Sequence, residues 1–158
     1  MTKKYLFVDG SVNPKSKVGY GAYLVVENLS FPIDANTIKT KMFQDTSSTK
    51  LELETLLWAL EEIGKEGSFI IYTDCQNIIS LPSRREKLLC QSSQTIKPKT
   101  TANHLLYQRF FTAIDNTHYE FIKVEGHKQK NLKNDIDRIF SLVDKVARSA
   151  LRGGFCKL

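Results

Sequence analysis

The chain opens with short apolar segments separated by polar turns, which is the pattern of β-strands. Residues 5–8 form a short apolar run, and residues 22–28 form a second one. Residues 13–21 between them contain a proline and two glycines, which predicts a turn. Residues 37–44 alternate polar and apolar positions, as in an outer strand. Short connections between consecutive strands predict antiparallel pairing, so this part should form a three-stranded meander.

Helical spacing replaces this alternation after residue 48. Apolar residues recur at helical intervals between Leu53 and Ile63, and Gly64 and Gly67 predict the end of the helix. Residues 68–74 are typical of a buried fourth strand. Because the chain crosses over through a helix to reach it, that strand should be parallel to its partner.

The second half is less regular but continues the same alternation of helices and strands. We expect a helix from Cys75 that Pro82 limits, a polar loop, a helix over 104–114, a fifth strand over 118–124 and an amphipathic helix over 132–151. The order predicts an α/β fold with a mixed five-stranded sheet, three antiparallel strands and then two parallel ones, flanked by helices. No repeat or linker divides the chain, so residues 1–158 should form a single domain.

The composition is that of an ordinary globular protein with excess positive charge. Hydrophobic residues make up 41% of the chain and charged residues 25%, and no apolar run approaches membrane-spanning length. A net charge of +6 favours a polyanionic partner. Three cysteines without a CxxC pair argue against a disulfide framework or a zinc site. Without a signal peptide, we expect a cytoplasmic location and, by default, a monomer.

Two aspartates close predicted buried strands. Asp9 ends the first strand and Asp74 ends the fourth. Adjacent parallel strands place their carboxyl ends at one edge of an open α/β sheet, where ligands bind, so we expect both carboxylates there. Each also has an ordinary structural interpretation. Asp9 could form an Asx turn with Gly10 and Ser11, and Asp74 could cap the next helix.

The first helix carries several glutamates, of which Glu52 is nearest to the buried side. At about 100° per residue, Glu52 lies roughly 80° from the centre of the apolar stripe and Glu54 roughly 120°. Glu61 and Glu62 point further outward. Thr49 and Glu52 also have capping-box spacing, which is the competing interpretation. We select Glu52 as the contribution of this helix to a site.

The last predicted helix offers further acids. Asp137 and Asp144 are seven residues apart and share one edge of its apolar face. Asp135 lies near the helix start, where a carboxylate is favourable without any further function. Spacing alone does not separate Asp137 from Asp144.

Converging carboxylates point to a metal-dependent reaction. Four of them would repel one another and raise their pKa values unless cations lay between them. Oxygen-only ligands select hard divalent ions, and Mg²⁺ is commonly shared with substrate phosphates. Two such ions about 4 Å apart can activate a water and stabilise the leaving oxygen of a phosphodiester. Asp9 is therefore best explained as a metal ligand.

Six motifs along the chain resemble those of one known family. LFVDGS, GYGAYLVV, LELETLLWALE, YTDCQN, VEGHKQ and DKVAR occur in the order of the ribonuclease H type 1 family and span nearly the whole chain. The resemblance implies a ribonuclease H-like fold. It also implies hydrolysis of the RNA strand of RNA–DNA hybrids with two Mg²⁺ ions, for which Mn²⁺ can substitute, leaving a 3′ hydroxyl and a 5′ phosphate.

The resemblance also implies roles for individual acids. Asp9, Glu52 and Asp74 match the first three metal-binding catalytic acids of the family. The D-x-x-A-R pattern of the family's last helix matches DKVAR and selects Asp144 over Asp137 as the fourth.

One histidine enters the site by the same resemblance. His127, in VEGH, matches a loop histidine that moves protons and helps product leave, although its distance from Asp144 along the chain is long. Its plain alternative is an exposed loop histidine. His104 and His118 match nothing, and we interpret them as structural or exposed.

Six residues match positions of substrate contact or of close backbone approach to phosphates. They are Gly10, Ser11, Asn13, Ser48, Thr49 and Gln76. Ser48 and Thr49 stand where the family often has two asparagines that contact minor-groove groups, including the RNA 2′-hydroxyl. Hydroxyls can still donate and accept there.

The basic protrusion of some family members is reduced in this chain. Those members carry a tryptophan-rich basic protrusion between the fourth strand and the following helix. The corresponding region of this chain contains Arg84, Arg85, Lys97 and Lys99, but the tryptophan of this chain, Trp58, lies in the first helix. These cations could give a reduced grip on the nucleic acid, and a plain solvated face explains them equally well.

Two other functions remain open from the sequence. A nuclease of the wider superfamily would keep the fold and metals but act on DNA. A non-catalytic module would bind hybrid or duplex RNA without cleaving it. The matched motifs and the four acids argue for the RNA–DNA hybrid endonuclease over both.

Overall fold

Strands and helices follow the predicted order in the part of the chain that this computed structural model describes, namely residues 3–64, 66–86, 88, 101–125 and 134–153. The strands are β1 (Lys3–Asn13), β2 (Val18–Val26), β3 (Lys39–Phe43), β4 (Ser68–Thr73) and β5 (His118–Lys123). The α-helices with described bounds are α1 (Ser48–Ile63), α2 (Gln76–Ser80), α3 (Thr101–Asp115) and α4 (Asp135–Leu151). Short 3-10 turns span Ala35–Thr37 and Pro82–Arg84.

The five strands form one mixed sheet in the order β3-β2-β1-β4-β5. β1 pairs antiparallel with β2 across the turn at residues 14–17, and β2 pairs antiparallel with β3 across the connection over residues 27–38. β1 pairs parallel with β4, and β4 with β5, because helices carry the chain across. The predicted arrangement of three antiparallel and two parallel strands is confirmed.

Helices cover both faces of the sheet. Neighbouring residues of β1 point to opposite faces. Leu6 and Val8 belong to an apolar core shared with α1, α2 and α3, and Phe7 belongs to a second core shared with α4. Side chains from α1 and α4 therefore reach the sheet from opposite sides.

β1 and β2 are longer than predicted, and they extend beyond β4. The parallel pairing of β1 with β4 ends at Phe7, opposite Tyr72, but its antiparallel pairing with β2 continues to Asn13, opposite Val18. The prediction that Asp9 ends the strand is wrong, because β2 supplies partners for residues 9–13. The predicted turn over 13–21 shrinks accordingly to residues 14–17.

α1 packs closely against this hairpin because two strand residues lack side chains. A Cβ built on Gly10 would lie 2.9 Å from Cδ2 of Leu51, and one built on Gly21 would overlap Thr55. The close approach requires glycine at Gly21, where Cβ of Thr55 would also lie 2.9 Å away, whereas a side chain at Gly10 would need the Leu51 side chain to shift. The first turns of α1 consequently lie directly over the part of β1 that extends past β4.

β3 is a short outer strand with exposed cations. Lys39 and Lys41 are exposed, and Phe43 is half-buried. The ammonium group of Lys41 lies 5.4 Å from the ring centre of Phe43 and 6.0 Å from that of Trp58. These contacts hold the lysine stem along the aromatic surface while its charge faces water.

None of the helices that the structure describes is long and apolar enough to cross a membrane. The single-domain expectation for residues 1–158 stays a prediction.

Candidate active site

Asp9 lies on β1 just beyond the point where β4 ends. It pairs with Ala22 of β2, and Ser11 pairs with Tyr20, so residues 9–11 are extended and the Asx-turn alternative is wrong. The side chain is only 4% exposed. A buried carboxylate is unfavourable unless other groups or a cation compensate it.

Glu52 reaches the same place from α1. The helix begins at Ser48, and Ser47 is its N-cap, with Oγ accepting from the Lys50 N–H at 3.4 Å. The Thr49–Glu52 capping box is therefore wrong, because Glu52 lies one turn inside the helix. Glu52 is 8% exposed, and its Oε2 is buried without a hydrogen-bond partner among the described residues.

The other glutamates of α1 lie away from this point, as predicted for Glu61 and Glu62. Glu54 is half-buried and accepts a hydrogen bond from Oγ1 of Thr46 at 2.6 Å. Glu61 is exposed and pairs with Arg109 at 2.7 Å. Glu62 is exposed at the far end of the helix. The inward position of Glu52 thus distinguishes it from its neighbours.

Asp74 completes a group of three carboxylates that we call the acid cluster, namely Asp9, Glu52 and Asp74. One carboxylate oxygen from each residue lies within 4.8 Å of the other two. Asp74 follows β4 directly and is exposed. It is not the helix cap, since Cys75 occupies the N-cap position of α2. The meeting of Asp9 and Asp74 follows from the parallel pairing of their strands.

The structure separates the two acids of α4 that spacing could not distinguish. Asp144 approaches the acid cluster closely enough to share a hydrogen bond with Asp9, and Nη2 of Arg148 donates to its Oδ2 at 2.6 Å. Asp137 instead belongs to the capping box of α4. Its carboxylate accepts from the Asn134 N–H at 3.1 Å, and its own N–H donates to Oδ1 of Asn134 at 2.9 Å.

Burial and mutual repulsion disfavour ionisation of the two inner acids. Burial raises the pKa of Asp9 well above its usual range, and the charge of Glu52 and the hydrogen bond with Asp144 raise it further. Burial also raises the pKa of Glu52, followed by the charge of Asp74, while hydrogen bonds from Asp9 and the Gly10 backbone partly oppose this rise. Full ionisation of the acid cluster therefore needs compensating positive charge.

A hard divalent cation fits these groups. The donors are all carboxylate oxygens, which Mg²⁺ and Mn²⁺ accept as ligands. The buried Oε2 of Glu52 lacks a protein donor among the described residues, and a cation would satisfy it. The acid cluster could hold such an ion, and Asp144 lies beside it.

Three of the predicted substrate-binding residues lie on the extended hairpin. Gly10 and Ser11 follow Asp9 on β1, and the space beside Gly10 is filled by Leu51. Asn13 stabilises the hairpin turn, since its Oδ1 accepts from the Lys15 N–H at 2.9 Å. Packing and turn formation thus explain Gly10 and Asn13 without a substrate.

The other three predicted substrate-binding residues are exposed, and each lies within four residues of an acid of the cluster along the chain. Ser48 and Thr49 form the exposed start of α1, one turn before Glu52. Gln76 begins α2, two residues after Asp74, and its Oε1 accepts a hydrogen bond from Nζ of Lys123 at 3.0 Å.

The two arginines that could contribute to nucleic-acid binding in place of the basic protrusion bind other side chains of the protein instead. Arg85 makes two hydrogen bonds of 2.6 Å to Asp115, and its guanidinium lies 5.1 Å from the ring centre of Phe111. Arg84 donates to Oδ1 of Asn77 at 2.6 Å. Lys97 and Lys99 lie outside the described residues.

The described part of the chain does not include His127. Of the two histidines without a predicted role, His118 is exposed at the start of β5 and His104 is half-buried on α3. The role of His127 stays a prediction.

Two cations that contact predicted site residues were not predicted from the sequence. Lys123 contacts Gln76, and Arg148 contacts Asp144. Arg148 belongs to the DKVAR motif, so its helical spacing from Asp144 could have indicated the ion pair. Lys123 carries no motif. Only the register of β5 against β4 brings it beside Thr73, the residue before Asp74.

Comparison with known proteins agrees with this geometry. The model of the RNase H family matches residues 1–152. The chain belongs to the RNase H family. The ribonuclease H resemblance and the prediction of an enzyme of this family are thereby confirmed.

Individual relatives agree with the family assignment. Ribonucleases H from two type A strains of Clostridium botulinum are 24% identical over 142 residues, which cover 88% of this chain and 93% of theirs. The crystal structure of LC9-RNase H1, described as a type 1 RNase H with the type 2 active-site motif, has a TM-score of 0.68 at 20% identity. The match covers 96% of this chain and 73% of that one, and it confirms the predicted fold.

Proposed function

We propose that the protein hydrolyses the RNA strand of RNA–DNA hybrids, with divalent cations held by Asp9, Glu52, Asp74 and Asp144. The observation that carries the proposal is the acid cluster, whose three carboxylates come from β1, α1 and the end of β4 to within 4.8 Å of one another. Membership of the RNase H family supports the substrate class.

The four acids have different positions and therefore different proposed tasks. Asp9 and Glu52 are buried and fix the inner side of the metal site, while Asp74 is exposed and faces the solvent from which substrate arrives. Asp144 comes from α4, which covers the face of the sheet opposite to α1, and it pairs with Arg148. Two Mg²⁺ ions bound there, or Mn²⁺ in their place, would activate a water and stabilise the leaving oxygen of the phosphodiester.

Substrate recognition is proposed for the exposed groups around these acids. Hydroxyls of Ser48 and Thr49 can donate to and accept from groups in the minor groove, where the 2′-hydroxyl distinguishes RNA from DNA. The start of α1 also presents backbone N–H groups, which favour phosphate. The net charge of +6 supports binding of a polyanion. His127 would move protons and assist product release.

The test is cleavage of a labelled RNA–DNA hybrid in Mg²⁺ by the parent chain and by Asp74→Asn. Asp34→Asn is a matched control, because Asp34 is exposed and asparagine can also cap the 3-10 turn that it precedes. DNA duplex, RNA duplex and single-stranded RNA are assayed alongside. We expect cleavage of the hybrid alone, retained in Asp34→Asn and lost in Asp74→Asn.

Two outcomes would contradict the proposal. Tight hybrid binding without cleavage in either Mg²⁺ or Mn²⁺ would indicate a binding module. Cleavage of DNA duplex in preference to the hybrid would indicate a DNA-directed nuclease.

A further inference from the structure

Lys123 lies at the same edge of the sheet as the acid cluster. It is the last residue of β5, and its register partner on β4 is Thr73, the residue before Asp74. Neighbouring strands are about 4.8 Å apart, so the backbone of Lys123 lies one strand away from that of the metal-binding acid. Its ammonium group extends to Gln76, two residues after that acid.

The charge of Lys123 is not neutralised by an acid in the described part of the chain. The ion pairs there join Arg85, Arg109, Arg138 and Arg148 to carboxylates. Lys123 is exposed, and its described hydrogen bond goes to the neutral side chain of Gln76. In contrast to Arg85, whose charge is paired with Asp115, Lys123 keeps a full positive charge available at the active-site edge.

This hydrogen bond also fixes the orientation of the Gln76 carboxamide. An ammonium group has only donors, so the carboxamide must turn its oxygen toward Lys123 and its two N–H donors away. The pair therefore presents donors alone, namely the remaining ammonium N–H groups and the amide N–H groups. A donor-only surface suits acceptors such as phosphate oxygens.

We propose that Lys123 binds a backbone phosphate next to the one hydrolysed and sets the orientation of the Gln76 carboxamide toward the nucleic acid. The inference rests on the proposed function, because it takes the substrate to be the hybrid bound over the acid cluster. Lys123 is then a binding and positioning residue rather than a member of the metal site.

The test compares Lys123→Met with Lys39→Met, an exposed strand lysine at the opposite edge of the sheet. Binding of a labelled hybrid is measured in Ca²⁺ over a series of KCl concentrations, and KM and kcat are measured in Mg²⁺. We expect Lys123→Met to raise Kd and KM about tenfold and to lower the slope of log Kd against log salt by about 0.9, as for one lost phosphate contact. We expect kcat to stay within about twofold, and Lys39→Met to match the parent.

Two further variants separate the proposed contact from a structural effect. Lys123→Arg should retain most of the affinity and the salt slope, because it keeps the charge. Gln76→Met should weaken binding less than Lys123→Met. In the double variant, Gln76→Met should weaken hybrid binding less than it does in the parent, because the two residues act together.

Outcomes for Lys123 and for the proposed function are distinguishable. A Lys123→Met salt slope equal to that of the parent would overturn the Lys123 assignment, even if the parent cleaves the hybrid. A parent that binds the hybrid without cleaving it would refute the proposed function, and the salt slope would still decide the role of Lys123.

Discussion

Three buried carboxylates in this molecule have similar exposure, but the surroundings of one differ sharply from those of the other two. Asp9 and Glu52 are 4% and 8% exposed, and Asp137 is 6% exposed. Asp137 accepts a backbone N–H and completes the capping box of α4. Glu52 has a buried oxygen with no partner among the described residues, and the charges of Asp74 and Asp144 are close enough to raise its pKa.

The comparison shows that burial alone does not indicate a function for an acid. Asp137 is satisfied by residues within three positions of itself, so its local sequence explains it. Asp9 and Glu52 come from different elements. The charge of Glu52 raises the pKa of Asp9, and the charge of Asp74 raises that of Glu52. A cation that binds between these carboxylates would explain why the fold brings them together at such a cost.

The largest expected effect comes from Glu52→Gln. It removes a metal ligand while keeping the shape of the side chain, so hybrid cleavage should fall more than about 100-fold. The free energy of unfolding without divalent ions should stay equal or increase, because a buried acid has become neutral. Cleavage assays in Mg²⁺ and urea unfolding in EDTA measure the two effects.

Glu61→Gln is the matched control for this change, since Glu61 is an exposed glutamate of the same helix. It should retain cleavage within about twofold, because an exposed ion pair contributes little. Cleavage by Glu52→Gln at the parent's rate would exclude Glu52 from the metal site.

The second effect is a pH dependence of stability that belongs to the acid cluster. The pKa of Asp9 is raised above its usual value of 3.8 and that of Glu52 above 4.5. The folded state therefore holds protons that the unfolded state loses. Without divalent ions, stability should fall as pH rises from about 5 toward 8, by up to about 1.4 kcal/mol per pH unit for each proton.

Urea unfolding in EDTA across this pH range checks the expectation, with Asp9→Asn as comparison. The variant should show a shallower pH dependence, and adding Mg²⁺ should reduce the slope of the parent, because the cation stabilises the ionised acids. Equal slopes for parent and variant would contradict the raised pKa of Asp9.

The smallest expected effect is that of Asp137→Ala, which breaks the capping box of α4. Stability should fall by about 1 kcal/mol, as for loss of a helix cap, while cleavage well below the melting temperature stays within about twofold. Asn134→Ala removes the other half of the capping box and should have the same effects on stability and cleavage as Asp137→Ala. A stable Asp137→Ala variant without cleavage would instead place Asp137 in the active site.

Much of the site was accessible from the sequence because strand pairing determines it. Asp9 and Asp74 meet since the crossover through α1 makes β1 and β4 parallel neighbours. The choice between Asp137 and Asp144 was not accessible from spacing, because residues seven apart share one helix edge. It depends on where α4 begins, and the Asn134 cap decides that.

The start of α1 was mispredicted for a related reason. Residues 46–49 are all serine or threonine, and each is a good N-cap by type. Tertiary contacts choose among them. The Thr46 N–H donates to the Lys17 carbonyl at 3.0 Å, and its hydroxyl donates to Glu54, so Thr46 is buried and Ser47 becomes the cap.

Charge on β3 also limits how the sheet can grow. The N–H and C=O groups on the outer side of an edge strand can pair with a strand of another molecule, which is the first step of edge-to-edge aggregation. β3 is five residues long and exposes Lys39 and Lys41, so two copies meeting at this edge would repel each other. The lysines of β3 therefore hinder this edge of the sheet from serving as a template for aggregation.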